Sequence, residues 1–544
     1  MVHTAGISIL SYPYWAVAGL QPFIVTLFLQ PYYFGLSIQS LSPATGRLFC
    51  FWDRIPPAKS IMNTSRSTQI MESPVTASNS ASLAITEYDK AGNLKARYLE
   101  SIPVAGHPRV DVLLPVERKR FWLRLLEIFL PDGYPQSVSD DYAAYQTYDS
   151  IQAFAGSIAG MISSRAVWEG LGVGDSLASP TGAMLIQVIR ESTGRFATIT
   201  FAHLFGTSIE AECKAYRLAS DILCDVAMVL DCLSPFFPRS IRFMVLCFSS
   251  LLYSASGVAG NASKSSLSGH FANWNNLGEL NAKDASQETA ISLMGMITGT
   301  LVVSLLTDPK ATWVALICLL AVHLFLNWKG VRAVKSRSLN RQRANIAFSA
   351  LFSKDQVLTP HVVAEKELVF ERRGGGVFRW NSGKVLGHCE YGVSLQAILQ
   401  NLASGHERMK SFHLSTLKLD ALLNIYDKEE YVLWCAVSEP VHYDAASRIK
   451  VIVVLKNGVS PRSQLKAWFH GLLLTRRLSG QMNSELARAG LDQQVMLSHI
   501  QASLEVANER YEEYMERLSF AGWNLQVSVL ETRSGSRITL ETEE

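Results

Sequence analysis

The chain has 544 residues, room for two or three domains. Only 18% of them are charged, against about 25% in an ordinary soluble protein, a deficit that points toward lipid although a large core would share it. The net charge of +3 leaves no footprint for a nucleic acid.

Residues 1–46 contain no Asp, Glu, Lys or Arg, and Arg47 is the first charge. Pro13, Pro22 and Pro31 interrupt this run, so an unbroken span of roughly 20 residues does not fit. It lacks the basic start of a secretory signal and the arginines of a transit peptide. The Ser/Thr-rich stretch MNTSRSTQIMESPVTASNSAS, from Met62, reads as a disordered amino terminus. Residues 1–82 are therefore expected to be an apolar and then disordered segment. Its first 61 residues are either a genuine head or foreign to the protein, which would then start at Met62.

From Ser82, SLAITEYDKAGNLKARYLE reads as strand, turn and strand. FWLRLLEIFLPDGYP, from Phe121, is a short amphipathic helix stopped by Pro131, with Gly133 and Pro135 in the turn. Three charge-free runs follow, each of a length to cross a bilayer: 243–263, 289–307 and 311–328. The last two are joined only by Asp308-Pro309-Lys310, a tight helical hairpin. Small residues four apart favour close helix packing in lipid: Gly156, Gly160 and Ser164; Gly295 and Gly299; Ser256 and Gly260. Lys329, Arg332, Lys335, Arg337, Arg341 and Arg343 crowd the exit of the last span, marking a cytoplasmic or matrix side unless they are a solvated helix face.

Beyond about residue 360 the composition is that of a soluble domain. YVLWCAV (431–437) and IKVIVVL (449–455) read as strands, and Ser460-Pro461 opens a helix. Ile500, Leu504, Tyr511, Tyr514 and Leu518 form an apolar stripe on a second helix, ended by Gly522. Leu525, Val527 and Val529 alternate as a strand. The eight cysteines form no CxxC pair and are expected to be reduced, buried thiols, which suits a cytosolic or matrix setting. The fold class is thus mostly α: a helical membrane domain at 83–345 with several transmembrane or membrane-embedded helices, a linker at 346–359, a small soluble α+β domain at 360–535 and a tail at 536–544.

The stretch FLPDGYPQSVSDDYAAYQTYDSIQAF, with SSRAVWEGLGVGDSLASPTGAMLIQVIRESTGR and EAECKAYRLASDILCDVAMVLDCLSPFFP, resembles the root UVB-sensitive family. The resemblance runs on through GVAGNASKSSLSGHFANWNNLGELNAKDASQETAISLMG to LNRQRANI, and more weakly through the carboxy-terminal part to about residue 530, including the AGWN element. It covers roughly residues 83–360 well, and leaves residues 1–60 outside the family pattern. It implies a part in vitamin B6 homeostasis and the response to ultraviolet B, without a defined biochemical activity.

The motifs are weighed on their own chemistry. EGLGVGD, ending at Asp175, looks like a glycine-rich phosphate loop, but such a loop must follow a strand, and the preceding text reads as a helix. A tight turn at a helix end is the better reading. Taken as one helix at ~100° per residue, Glu210, Lys214, Arg217, Asp221, Asp225 and Asp231 share an arc of about 120°. On a soluble helix that arc is the wet face; in a membrane bundle it must point inward, because charge facing lipid is costly.

Lys283, Asp284, Gln287 and Glu288 open the span at Thr289, as dipole-complementing first-turn residues or as a polar gate meeting that arc. Arg165, Arg190, Glu191 and Arg195 are candidate counter-charges. His388-Cys389 stands without further metal ligands, and no GxSxG elbow has credible partners. No catalytic residue, cofactor or metal is expected. The expected function is that of a non-enzymatic membrane protein that moves or sequesters a small molecule related to vitamin B6, or scaffolds a protein partner through its carboxy-terminal domain. Membrane lipid is the expected surrounding and nucleic acid is not a partner. The alternatives are an enzyme acting on a B6 vitamer or lipid, and an interaction adaptor.

Overall fold

The computed structural model of the protein describes residues 81–90, 92, 94–101, 109–114, 127–171, 180–371, 376–381, 383–406, 411–414, 419–437, 449–481, 493–533 and 535–540. The apolar head, the Ser/Thr-rich stretch up to residue 80 and most of the expected helix after Phe121 lie outside these residues, as does Cys50; Ala81 and Ser82, expected in the disordered segment, begin a strand. Residues 127–129 are helical.

Strands β1 (Ala81–Tyr88) and β2 (Leu94–Ser101) form the expected antiparallel pair, with Gly92 in the turn at φ +83. A third strand, β3 (Arg109–Leu113), extends this sheet on β2. At the turn before the helices, Gly133 has φ +71, and a Cβ there would enter the ring of Trp274.

Six long helices follow: α1 (Tyr142–Gly170), α2 (Pro180–Ala211), α3 (Cys213–Leu233), α4 (Arg239–Phe271), α5 (Leu277–Leu305) and α6 (Pro309–Ala333). α1 packs on α3, α5 and α6, α3 on α4 and α6, and α2 lies against α4. α4, α5 and α6 are long and apolar enough to cross a membrane. Prolines and charged side chains set their ends. Asp308 caps α6 by accepting from the Ala311 N–H at 3.0 Å, so the Asp-Pro-Lys hairpin forms as expected. The guanidinium of Arg242 satisfies the carbonyls of Gly170, Ser234, Pro235 and Phe237, where α1 and the turn before α4 would leave orphan acceptors. Arg165 does the same for Val303 and Leu306 at the end of α5.

The polarity of this bundle is reversed from that of a soluble core. Large apolar side chains face outward, among them Phe196 (73% exposed), Leu305 (80%), Met244 and Val314. Acidic and basic side chains lie inside. The small residues account for several close approaches: Gly295 faces Ser157 and Gly299 faces Met161, so α5 and α1 meet closely. Ser164, by contrast, is exposed.

The remainder is an α+β arrangement. α7 (Arg341–Lys354) and α8 (Pro360–Lys366) precede β4 (Val377–Trp380) and β5 (Lys384–Tyr391). Then come α9 (Leu395–Leu402), β6 (Ala403–His406), β7 (Ser411–Leu414), α10 (Leu419–Ile425), β8 (Tyr431–Val437) and β9 (Ile449–Lys456). α11 (Pro461–Gln481), α12 (Gln493–Phe520) and β10 (Arg537–Ile538) complete it. β9 is central, antiparallel to β8 and parallel to β5 and β10. Residues Tyr431–Cys435 and Val451–Leu455 are continuous buried runs, as strands covered on both faces must be. The stripe from Ile500 to Leu518 faces this core.

Two expectations fail here. Residues 525–530 pair in no ladder; Leu525 and Val529 are buried and Val527 is exposed, so the alternation reflects an extended segment lying on the core rather than a strand. Residues 346–354, expected as linker, are helix. Arg341 to Leu351 are all buried, and Asn345 bridges the Val377 carbonyl to the Trp468 indole. Arg341 and Arg343 therefore point inward, while Lys329, Arg332 and Arg337 remain exposed. Among the described cysteines, Cys213, Cys232, Cys389 and Cys435 are buried, and Cys318 is exposed.

Candidate functional site

The helix expected over 210–231 is broken at Glu212, whose φ −119 and ψ 38 are not helical, so exposed Glu210 ends a different helix from the rest of the arc. Lys214, Arg217, Asp221, Asp225 and Asp231 all lie on α3, and all are buried. The wet-face reading is thereby removed.

Arg217 is the hub. Its guanidinium donates to Asp149 Oδ1 on α1 and to Asp221 Oδ1 one turn along α3, each at 2.7 Å. The other oxygen of Asp149 meets Lys264 Nζ of α4 at 3.0 Å. That ammonium reaches Asp284 at 3.2 Å and Glu288 at 3.0 Å on α5. Asp221 Oδ2 accepts from the side-chain amides of Gln152 on α1 and Asn327 on α6. His323, one turn before Asn327, has Nδ1 2.9 Å from Asp225 Oδ1 and Nε2 3.8 Å from Asp221 Oδ2. Gly156 of α1 lets the ring in, since a Cβ there would stand 3.0 Å from Nε2. Two fixed cations, Arg217 and Lys264, thus face four carboxylates, Asp149, Asp221, Asp225 and Asp284, with Glu288 at the rim.

The cluster is tightly closed. Beside Lys264 and Asp284, under Tyr142 and Tyr145, the cavity is about 10 Å³, room for one water at most. Further along α3, Asp231 has its own partners: Arg190 at 3.1 Å, Ser249 Oγ at 2.5 Å and Ser163 Oγ at 3.3 Å. Ala159, Ile162, Met228, Leu316 and Leu320 form an apolar layer of the bundle core. Asp225 and Asp231 are ~9 Å apart along the helix axis, with Met228 between them on α3.

Of the expected site residues, Arg217, Asp221, Asp225, Asp284 and Glu288 come together. Arg190 belongs to the Asp231 group. Arg165 pairs with Glu169, and Glu191 with Gln187 and Arg195 on the surface. Lys283 and Gln287 bond the carbonyls of Ile128 and Phe129. The first-turn role of Lys283 to Glu288 fails, because α5 begins at Leu277 and its first-turn acid is Glu279; the dipole effect does not extend beyond that turn. Asp175 lies outside the described residues. The element before EGLGVGD is helix α1, as read, and not the strand a nucleotide loop requires.

Asp149, Gln152, Lys264, His323 and Asn327 were not anticipated. His323 and Asn327 interrupt the otherwise apolar run WVALICLLAVHLFLNW, and that interruption is the signal by which the sequence could have shown them. Among the described residues no group of three His, Cys, Asp or Glu is arranged to hold a metal ion.

Apolar side chains outside and charged ones inside characterise a helical bundle, three of whose helices are long and apolar enough to cross a membrane, joined to an α+β unit. The vitamin B6 photo-protection and homoeostasis domain matches residues 115–355, and the carboxy-terminal domain of root UVB sensitive proteins matches residues 419–534. The chain belongs to the root UVB-sensitive family. It is 36% identical over 264 residues to RUS family member 1 of Dictyostelium discoideum, 48% of this chain and 50% of that one. It is 27% identical over 458 residues to protein root UVB sensitive 3 of Arabidopsis thaliana, 82% of this chain and 93% of that one. Protein root UVB sensitive 5 of the same plant is 23% identical over 425 residues, 74% of each chain. No solved structure matches.

Proposed function

We propose that the protein is an integral membrane protein without catalytic activity, and that it serves vitamin B6 homeostasis by moving or sequestering a small molecule through the cluster around Arg217. The observation that supports this is the inverted polarity. Burying charges in a bundle whose outer faces are apolar is costly in water and is the rule in lipid, where ionisable groups turn inward and mark pathways. A cavity of about 10 Å³ admits no vitamer, so this is an occluded arrangement and passage would require the helices to part. The same closure favours a second reading, a scaffold in which the ion pairs only lock the helices and the α+β unit holds a partner.

Asp221→Asn and Asp225→Asn separate the two in a deletion strain, scored for abundance and complementation. A carrier loses function with protein level nearly unchanged. A lock loses abundance and function together, because an unpaired buried charge costs about 3–5 kcal/mol. Normal complementation by both variants removes the cluster as a site.

A further inference from the structure

Among the described residues of the cluster, the Asp225–His323 pair leaves the most buried polar atoms without a hydrogen-bond partner, Arg217 Nε and Asn327 Oδ1 being the others. Asp225 is 4% exposed, and neither of its carboxylate oxygens has a hydrogen-bond partner. His323 Nδ1 stands 2.9 Å from Oδ1 but off the line a hydrogen bond needs, and it too has no aligned partner. Asn327, 2% exposed, leaves its Oδ1 unpaired one turn away. Leaving such groups buried and unmatched is expensive, and the three oxygens among them, two on Asp225 and one on Asn327, lack a donor.

We propose that Asp225, His323 and Asp221 form a proton-binding site in the middle of the bundle; this rests on the membrane reading given above. His323 lies fourteen residues into α6, ~21 Å along a helix that rises ~1.5 Å per residue, and so sits at depth rather than at a surface. The groups facing it are known from each element packed around it. α3 supplies Asp221 and Asp225, with Arg217 behind them; α1 supplies Gln152 and, beyond it, Asp149; Asn327 follows on α6 itself.

The amide nitrogen of Gln152 lies 3.4 Å from His323 Nε2, and an N–H donor requires a lone pair opposite. With Gln152 as the donor, the neutral imidazole has Nε2 bare and its proton on Nδ1, on the side of Asp225. An arriving proton bonds to Nε2, turns this contact into donor against donor, and leaves the Gln152 amide its bond to Asp221 Oδ2. The imidazolium then lies between two carboxylates, and one positive charge offsets the excess of the cluster. Glu288, 53% exposed, with Lys264, Asp149 and Arg217 joins the surface to Asp221 by a chain of ion-paired side chains. The apolar layer with Met228 and Leu320 closes the way toward Asp231.

The test is the ¹⁵N spectrum of histidine-labelled, full-length protein in detergent micelles, with the His323 signals assigned by their loss in His323→Gln. At about pH 6 both ring nitrogens of His323 should carry a proton, and raising the pH should return the single-proton tautomer. Asp225→Asn should show the single-proton tautomer already at pH 6, whereas Asp231→Asn should resemble wild type. A wild-type His323 that stays in one neutral tautomer between pH 5 and 9 overturns the proposal, and this arm stands even where the variants do not fold. Loss of the proton signal on adding sodium chloride but not choline chloride assigns the site to a metal cation and overturns it as well. The spectrum needs no transported molecule, so failure of the carrier reading leaves this result intact.

Discussion

Arg217 holds two carboxylates from two helices with one guanidinium, and the planar fork is what allows it. Arg217→Gln leaves buried Asp221 without its cation and Asp149 with Lys264 alone, and should cost about 3–5 kcal/mol, seen as a large fall in melting temperature in detergent. Arg195→Ala breaks the exposed pair with Glu191, and should shift stability by no more than about 0.5 kcal/mol. The sequence could show that these charges share an arc, because α3 carries them all. It could not show their partners, since Asp149, Lys264 and His323 lie on three other helices and nothing local relates their spacing to that of Arg217. The break at Glu212 was hidden for the opposite reason: EAECKAYR has the propensities of a continuous helix, and tertiary contacts decide the kink.

In the α+β unit, His470 is fully buried between Tyr431 Oη at 3.1 Å and Ser503 Oγ at 2.9 Å. Burial pushes its imidazole down to about 4, with the Ile500 carbonyl only partly opposing. The unfolded side chain takes a proton near pH 6.5, so the folded state loses relative stability as pH falls from about 6.5 to about 4, and the loss levels off below that. At ~1.4 kcal/mol per unit, it amounts to about 3 kcal/mol. The melting temperature of the full chain should fall over this window by more than that of His470→Gln; parallel profiles would contradict it.

Helix contacts carry the next scale. A Cβ at Gly295 would stand 2.5 Å from Ser157 Cβ and 3.1 Å from the Phe154 carbonyl, and one at Gly299 would meet Met161 Cγ at 2.8 Å. Gly295→Ala should therefore push α5 from α1 and destabilise by about 1–3 kcal/mol, while Gly257→Ala, with nothing within 4 Å, should be neutral or mildly stabilising. Thermal melts of both in detergent make the comparison. At this scale the sequence is most legible: the charge-free runs, the Asp308-Pro309 hairpin, the two buried strands and the stripe on α12 all announce themselves through local pattern. β4, β5 and the role of α7 do not. The boundary expected at residue 345 cuts α7 in two, because its arginines are satisfied by carbonyls and carboxylates distant in sequence, such as Leu530 and Glu367.

At the scale of the whole molecule, the bundle and the α+β unit are tied through buried ions. Lys214 of α3 bonds Glu367 at 2.6 Å, and Arg343 approaches the same carboxylate at 3.6 Å. These pairs join α3 and α7 to the residue that follows α8. All of this presupposes that the apolar faces of α4, α5 and α6 meet lipid. Extraction of native membranes with alkaline carbonate tests that most directly. The protein should stay in the pellet and come out only with detergent; its recovery in the carbonate supernatant would contradict the account.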